Sequence, residues 1–244
     1  MSDEKEVALI TGAGRGIGLA TTQRLLEDGF HVVMVDLHPE PLMSNADRLR
    51  TASNSLEPHV LSVTDRAAVS ALIASLPRLD VLVNNAAIFW DGKFDAATED
   101  DFRKMYEVNV VGSFIMAQEC TRIMKRGGRI INIASRAYLA GYAHAPYITS
   151  KAGTVGLSRG MAIDLAAKGI SVNVIAPGLI ETEMFRSLTP ERQQELIAKQ
   201  PTKEVGQPED IANGVSFFAS PRTRNVTGQI LTLDGGRSMG ISLY

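Results

Sequence analysis

The chain has 244 residues, 45% of them hydrophobic and 21% charged, with a net charge of -2 at neutral pH. A chain of that length buries a full core, and so balanced a charge gives no electrostatic grip on nucleic acid or an anionic membrane surface. The single Cys120 excludes an internal disulfide and suits a reducing, cytoplasmic setting. No apolar run approaches the ~18 residues of a membrane helix, and the four histidines lack metal-ligand spacing, so no metal is expected.

Val7–Thr11 is a short apolar run that reads as a buried strand, and Thr11-Gly-Ala-Gly-Arg-Gly-Ile-Gly18 turns it into a helical pattern over 17–27. A glycine-rich turn between strand and helix lets backbone N–H groups approach a pyrophosphate resting on the helix N-terminus. That marks Gly12, Gly16 and Gly18, with Arg15 and Ile17, as candidates for cofactor binding. The next strand, His31–Asp36, ends on a carboxylate. Asp36 there can accept hydrogen bonds from the adenosine ribose hydroxyls and would repel a 2′-phosphate, so NAD is preferred over NADP; Arg15 pulls mildly the other way. A weaker strand is expected at 59–63 and a further one at Val81–Asn84. A helix over 102–124 carries apolar residues around most of its circumference, Phe102, Met105, Tyr106, Val110 and Phe114 among them. A strand at 129–134 leads to a helix at 147–165 with Gly153, Gly156 and Gly160 at close-packing intervals. A strand at 172–176, a weakly anchored helical stretch at 182–200 that is suited to act as a lid, and a strand at 229–234 complete the series.

Near-continuous apolar strands separated by helices require a parallel sheet covered on both faces. The expected fold is a doubly wound, Rossmann-like α/β sheet in a single domain over 1–244. A helix apolar nearly all round is covered on more than one side, by a neighbouring helix or by a second subunit.

Tyr147 and Lys151 stand four residues apart in Pro-Tyr-Ile-Thr-Ser-Lys-Ala-Gly. On a helix they share a face, and a cation held beside a phenol favours the phenolate, the basis for acid/base exchange with a reacting oxygen.

Six motifs then fall in one order: Thr-Gly-x-x-x-Gly-x-Gly at 11–18, Asn-Asn-Ala at 84–86, Asn109 within a helix, Ser135 after the fifth strand, Tyr-x-x-x-Lys at 147–151, and Pro-Gly-x-x-x-Thr at 177–182. Together they resemble the short-chain dehydrogenase/reductase family, in its single-domain NAD(P)-dependent form, over essentially the whole chain. The resemblance implies that Tyr147 gives a proton to a carbonyl oxygen or takes one from an alcohol, and that Ser135 hydrogen-bonds the same oxygen. Lys151 would lower the Tyr147 pKa and bind the nicotinamide ribose, and Asn109 would hold a water linking Lys151 to solvent. Asn85 and Ala86 would pass beside the cofactor, while Pro177, Gly178, Ile180 and Thr182 would fix its carboxamide. The family also implies a homotetramer. Two positions depart from the family pattern: Ala87 replaces a glycine, and Ser62 replaces an aspartate, which leaves adenine recognition to Val63 and the backbone.

Substrate selection falls to segments beside these residues, where Phe89, Tyr138, Tyr142, Met184 and Phe185 join Ser135 and Tyr147 in a set rich in aromatics for a chain with 6% of them. Such a lining favours an apolar or aromatic secondary alcohol or ketone. Two alternatives stay open: an NADPH-dependent 3-oxoacyl-thioester reductase, and a non-catalytic dinucleotide sensor.

Overall fold

The structure is a computed structural model that describes residues 5–51, 55–90, 92–139 and 144–239, with Met184 lacking a described side chain. The strands are β1 (Val7–Thr11), β2 (His31–Asp36), β3 (Ser55–Val60), β4 (Val81–Asn84), β5 (Arg129–Ile133), β6 (Ser171–Pro177) and β7 (Ile230–Leu233). They form one parallel sheet in the order β3-β2-β1-β4-β5-β6-β7. The helices are α1 (Gly16–Glu27), α2 (Pro39–Leu49), α3 (Arg66–Ser75), α4 (Glu99–Tyr106), α5 (Ser113–Cys120), α6 (Ala145–Asp164), α7 (Glu183–Arg186), α8 (Pro190–Ala198) and α9 (Pro208–Ala219).

Alternate residues of each central strand enter different cores. Ala8 and Ile10 of β1 pack with Val32, Met34, Leu25 and Val215 on one face, while Val7 and Leu9 pack with Val33, Val35, Leu72 and Met116 on the other. Burial on both faces is why these strands are apolar without alternation.

Three boundaries differ from expectation. The third strand is Ser55–Val60, not 59–63: it runs in register with β2 from His31↔Ser55 to Asp36↔Val60, at the sheet edge. An edge strand buries little, here mainly Leu56, and tolerates Pro58, so its apolar signal is faint. The helix expected at 102–124 is interrupted. α4 opens on a capping box between Thr98 and Asp101, then widens into a π-turn over Glu107–Gly112 before α5 resumes and ends at Cys120. The stretch at 182–200 is two short helices, α7 and α8. Its base is closed by Glu181 N–H donating to Gly206 O at 2.8 Å and Gly206 N–H donating to Leu179 O at 3.0 Å.

Candidate active site

The strand order reverses direction between β1 and β4, and at such a switch point the C-terminal strand ends open a crevice for a ligand. The glycine turn lines one side. Gly12 has a left-handed backbone, φ 63°, and a Cβ there would stand 3.0 Å from the Ala86 Cα; at Gly18 a Cβ would collide with the Gly12 carbonyl oxygen. Arg15 precedes α1 in an extended conformation, makes no side-chain cap bond, and is followed by no acidic residue in the first turn. The opening N–H groups and the positive end of the helix are thus left to an anion. A cradle of backbone donors that side chains would fill fits the pyrophosphate of a dinucleotide.

Asp36 sits against this turn, buried, with one carboxylate oxygen accepting from Gly14 N–H at 2.9 Å and the other from His38 N–H at 3.0 Å. Arg15 is turned away from it: its guanidinium pairs with Glu183 at 3.0 Å at the start of α7. Asn85 and Ala86 are tied back to the turn. The Thr11 hydroxyl accepts both of their N–H groups at 3.0 Å, and the Asn85 side-chain amide donates to the carbonyls of Thr11 and Gly12. The sequence reading missed Thr11 as this hub, and it missed Asn45, which donates to the Gly14 carbonyl at 3.0 Å. Nothing local in the sequence signals a bond that spans 31 or 74 residues. Val63 is buried with its side chain against Gly112 of the π-turn, so only its backbone is available to a ligand.

A cavity of about 390 Å³ lies beyond the turn, walled by Ser135, Tyr147, Lys151, Pro177, Gly178 and Ile180. Tyr147 and Lys151 are one turn apart on α6, as their spacing predicts, and the Tyr147 hydroxyl is hydrogen-bonded to the Ser135 side chain. Ile17 and Thr182 join the wall, and Thr182 faces Gly16 across the gap.

The electrostatics differ from the sequence expectation. Burial raises the Tyr147 phenol above its ordinary value, and the hydrogen bond with Ser135 works in the opposite direction. Lys151 does not draw the phenol down, because its ammonium is held elsewhere: Nζ donates to the Ile133 carbonyl at 2.9 Å and lies 5.8 Å from the Tyr147 ring centroid. Desolvation of that buried ammonium lowers its own pKa to about 8.

Asn109 lies in the π-turn, 2% exposed. Its side chain clamps the backbone of Ile88, accepting from the N–H at 2.8 Å and donating to the C=O at 3.0 Å, and it also donates to Ser150 Oγ at 3.0 Å. Ser150 in turn donates to the Tyr147 carbonyl at 2.8 Å. The widened turn frees the Asn109 carbonyl, which accepts from the hydroxyls of Ser113 and Thr154. Ser150 is a third residue missed from sequence, although it sits directly before Lys151.

Among the residues expected to meet substrate, Phe89 and Phe185 line the cavity. The Phe89 ring stands edge-on to Tyr147, centroids 4.9 Å apart, and to His144 at 5.2 Å. Tyr138 does not line it. The turn after Ser135 leaves Arg136 and Ala137 on the cavity wall and sends Tyr138 onto Ala134, Val155 and Val174. Tyr142 lies outside the described residues, as does the side chain of Met184. Ile148, Leu179, Leu188, Arg192 and Leu196 also line the wall.

Comparison with known proteins matches this arrangement. Residues 12–238 fit the family model described as enoyl-(acyl carrier protein) reductase. The chain is 39% identical over 245 residues to (2S)-[(R)-hydroxy(phenyl)methyl]succinyl-CoA dehydrogenase subunit BbsD of Thauera aromatica, covering 98% of this chain and 99% of that one. It is 36% identical over 240 residues to the 3-oxoacyl-(acyl-carrier-protein) reductase FabG of Thermotoga maritima, covering 96% and 98%. Among solved structures, a blue fluorescent protein from a metagenomic library in complex with NADPH superposes with a TM-score of 0.88 at 37% identity, covering 95% and 97%. A short-chain dehydrogenase/reductase from Serratia marcescens gives 0.89 at 34% identity, covering 96% and 98%. With the glycine cradle, the Ser-Tyr-Lys wall and the π-turn asparagine gathered at one switch point, and with likeness running the length of the chain, this protein belongs to the short-chain dehydrogenase/reductase family, whose members are oxidoreductases that bind a nicotinamide dinucleotide.

Proposed function

We propose that this protein is an NAD-dependent oxidoreductase that interconverts a secondary alcohol and its ketone, the substrate carrying an apolar or aromatic substituent. The observation that carries this reading is the hydrogen-bonded pair of hydroxyls, Ser135 and Tyr147, on the wall of a cavity that Phe89 and Phe185 also line. Two O–H groups that meet each other in the free site are placed to share one substrate oxygen, which suits a C=O or CH–OH group. The relative from Thauera supports an aryl alcohol, since its name contains a hydroxy(phenyl)methyl group, a benzylic secondary alcohol.

The residues that would hold the cofactor are the turn from Gly12 to Gly18, Asp36, Asn85, Ala86 and the Pro177–Thr182 segment, with Lys151 at the nicotinamide ribose. When bound, the dinucleotide accepts or supplies the hydride. In oxidation Tyr147 takes the hydroxyl proton while Ser135 keeps a hydrogen bond on the same oxygen; in reduction Tyr147 returns it. Asn109 fixes the loop after β4 at Ile88 and, through Ser150, the first turn of α6, so the phenol keeps its aim; its water link from Lys151 to solvent is the proposed route of proton resupply. NAD is favoured over NADP because a buried carboxylate occupies the turn at the end of β2, exposed Leu37 and His38 follow it, and Arg15 is engaged by Glu183. We place the protein in the cytoplasm, as a homotetramer.

A second reading, a 3-oxoacyl-thioester reductase, is supported by the FabG relatives and by the CoA thioester in the name of the Thauera protein. Initial rates with NAD(H) and NADP(H) against aryl alcohols, aliphatic alcohols and 3-oxoacyl thioesters decide between them. The aryl alcohol reading expects the highest kcat/KM with NAD and an aryl member. Equal use of both cofactors would remove the Asp36 argument, and turnover of the thioesters alone would establish the second reading.

A further inference from the structure

A side chain of α2 reaches into the glycine turn without belonging to it. Asn45 sits half-buried in the middle of that helix, where asparagine is a weak helix former and serves no cap. Its amide is fully engaged. Nδ2 donates to the Gly14 carbonyl at 3.0 Å and to the Pro41 carbonyl at 3.1 Å, while Oδ1 accepts from Arg48 Nε at 3.1 Å. The guanidinium can only donate and the two carbonyls can only accept, so these neighbours fix which end of the amide faces the turn.

The same glycine is held from its other side. Asp36, at the end of β2, accepts from Gly14 N–H at 2.9 Å, and a Cβ on Gly14 would stand 3.0 Å from that carboxylate and 3.3 Å from Leu42 N of α2. Both peptide units that meet at Gly14 are therefore anchored, one through its N–H and the other through its C=O. The second unit decides what the crevice receives. In a trans peptide the C=O and the N–H point in opposite directions, and the described residues contain no cis bond. With the Gly14 carbonyl drawn toward α2, the Arg15 N–H of the same peptide points away from α2. α1 closes onto the turn through Leu19 N–H, which donates to the Arg15 carbonyl at 3.2 Å, so the Gly14 carbonyl lies outside the helix ladder. Without a donor of its own, that carbonyl would present negative partial charge beside the anion cradle.

We propose that Asn45 is a positioning residue for the dinucleotide: it turns the Gly14–Arg15 peptide so that the N–H, rather than the C=O, is presented to the adenosine diphosphate half of the cofactor. It acts on the cofactor through Gly14. The assignment rests on dinucleotide binding in this crevice, and it needs neither the alcohol nor the thioester reading, nor a choice between NAD and NADP. β2 and the helix that follows it thus supply Asp36 and Asn45 to one glycine, which sets the ribose acceptor and the phosphate turn as one unit.

The test titrates NADH and NADPH by fluorescence, and ADP by displacement of the tighter of the two, with the wild-type protein, Asn45→Asp, Asn45→Ala and Ala46→Gly. Asn45→Asp keeps the shape but sets a carboxylate oxygen against the Gly14 carbonyl, and it is expected to weaken the nicotinamide nucleotide and ADP alike by about tenfold. Asn45→Ala removes the donor without adding charge and should weaken both severalfold; it keeps the test open if the aspartate variant fails to fold. Ala46→Gly loosens the same helix at a buried position that does not touch Gly14. Its melting temperature should fall at least as far as that of Asn45→Ala, with nucleotide affinity unchanged, which separates the aim of the turn from the stability of α2. Wild-type affinity in the Asn45 variants overturns the assignment. So does an equal loss in Ala46→Gly, which would make the effect one of general packing. A loss of NADH or NADPH that spares ADP also overturns it, since the effect would then lie at the nicotinamide half. Failure of the wild-type protein to bind either nucleotide would sink the dinucleotide reading itself, and this assignment with it.

Discussion

The Tyr147 hydroxyl and the Lys151 ammonium share one helix face, but the structure gives them separate constraints. Desolvation keeps the phenol protonated through neutral pH, so the proton donor that the proposed ketone reduction requires would be in place there. Alcohol oxidation needs the phenolate and is expected to accelerate as pH rises above neutral, while reduction holds until the phenol ionises; pH–rate profiles in both directions check this, and an oxidation rate flat between about pH 7 and 10 would contradict it. Tyr147→Phe removes the proposed proton carrier without changing the ring that meets Phe89. Its kcat should drop by about two to four orders of magnitude, with NAD affinity within about twofold by calorimetry. Lys151 bears a different cost. Its folded pKa, about 8, lies below the ordinary 10.5, so the unfolded chain binds the proton more tightly. Its contribution to stability therefore rises with pH across the interval between those values, and below it the full desolvation penalty applies. Lys151→Met should abolish turnover yet stabilise the fold at pH 7 by on the order of 2 kcal/mol, an advantage that shrinks by pH 10. Urea unfolding at both pH values, at equal protein concentration, measures it. Destabilisation at pH 7 would mean that the bond to Ile133 outweighs the buried charge.

At the scale of elements, the glycine turn and the π-turn carry the site. Gly18 lies where α1 crosses the Gly12 carbonyl, with the Asn85 amide beside it, so a methyl group has no room without moving the turn. Gly18→Ala should weaken NAD binding at least tenfold and lower the melting temperature, because the backbone carbonyl it meets is part of the cradle. Unchanged NAD affinity by fluorescence titration would show that the turn can yield. Both elements illustrate which features a sequence displays. The glycine turn was legible because its parts are consecutive: strand, glycines, helix. The π-turn was not, because its cause is remote. Asn109 reaches Ile88 and Ser150 across 21 and 41 residues, and Thr154 takes the carbonyl released by the widened turn. Tyr138 was misplaced for a similar reason, since a single short turn after Ser135 decides which of three neighbours faces the cavity.

At the scale of the molecule, two separate apolar faces remain on the outside among the described residues. One runs along α4 and α5, where Tyr106 and Phe114 are exposed and an open groove is lined by Ile88, Phe102, Tyr106 and Val108. On α6 nearby, Gly153 approaches Val110 and Tyr106, but Gly156 and Gly160 face open space and Ile163 is 78% exposed. The other face lies at the β7 edge of the sheet, whose four residues are all half-buried, with Phe217 of α9 exposed. Two different self-complementary faces close into a dihedral tetramer, whereas one alone stops at a dimer. Light scattering coupled to gel filtration should give about four times the mass of the 26.3 kDa chain. Phe114→Glu should reduce it to a dimer, and a monomeric mass for the wild-type protein would refute the assignment.

By itself the amino-acid sequence determined the doubly wound sheet, the glycine turn, the acid at the end of β2 and the Tyr-Lys pair, because each is a pattern of neighbours: buried strands read as apolar runs, and residues four apart share a helix face. Only the tertiary structure decided that Lys151 answers to Ile133 before it answers to Tyr147, that Asn109 works through Ile88 and Ser150, and that Tyr138 packs onto Val155 and Val174 instead of the cavity. These depend on side chains brought together from distant strands and helices in a space too dry to leave a charge unmet, and no local pattern records that meeting.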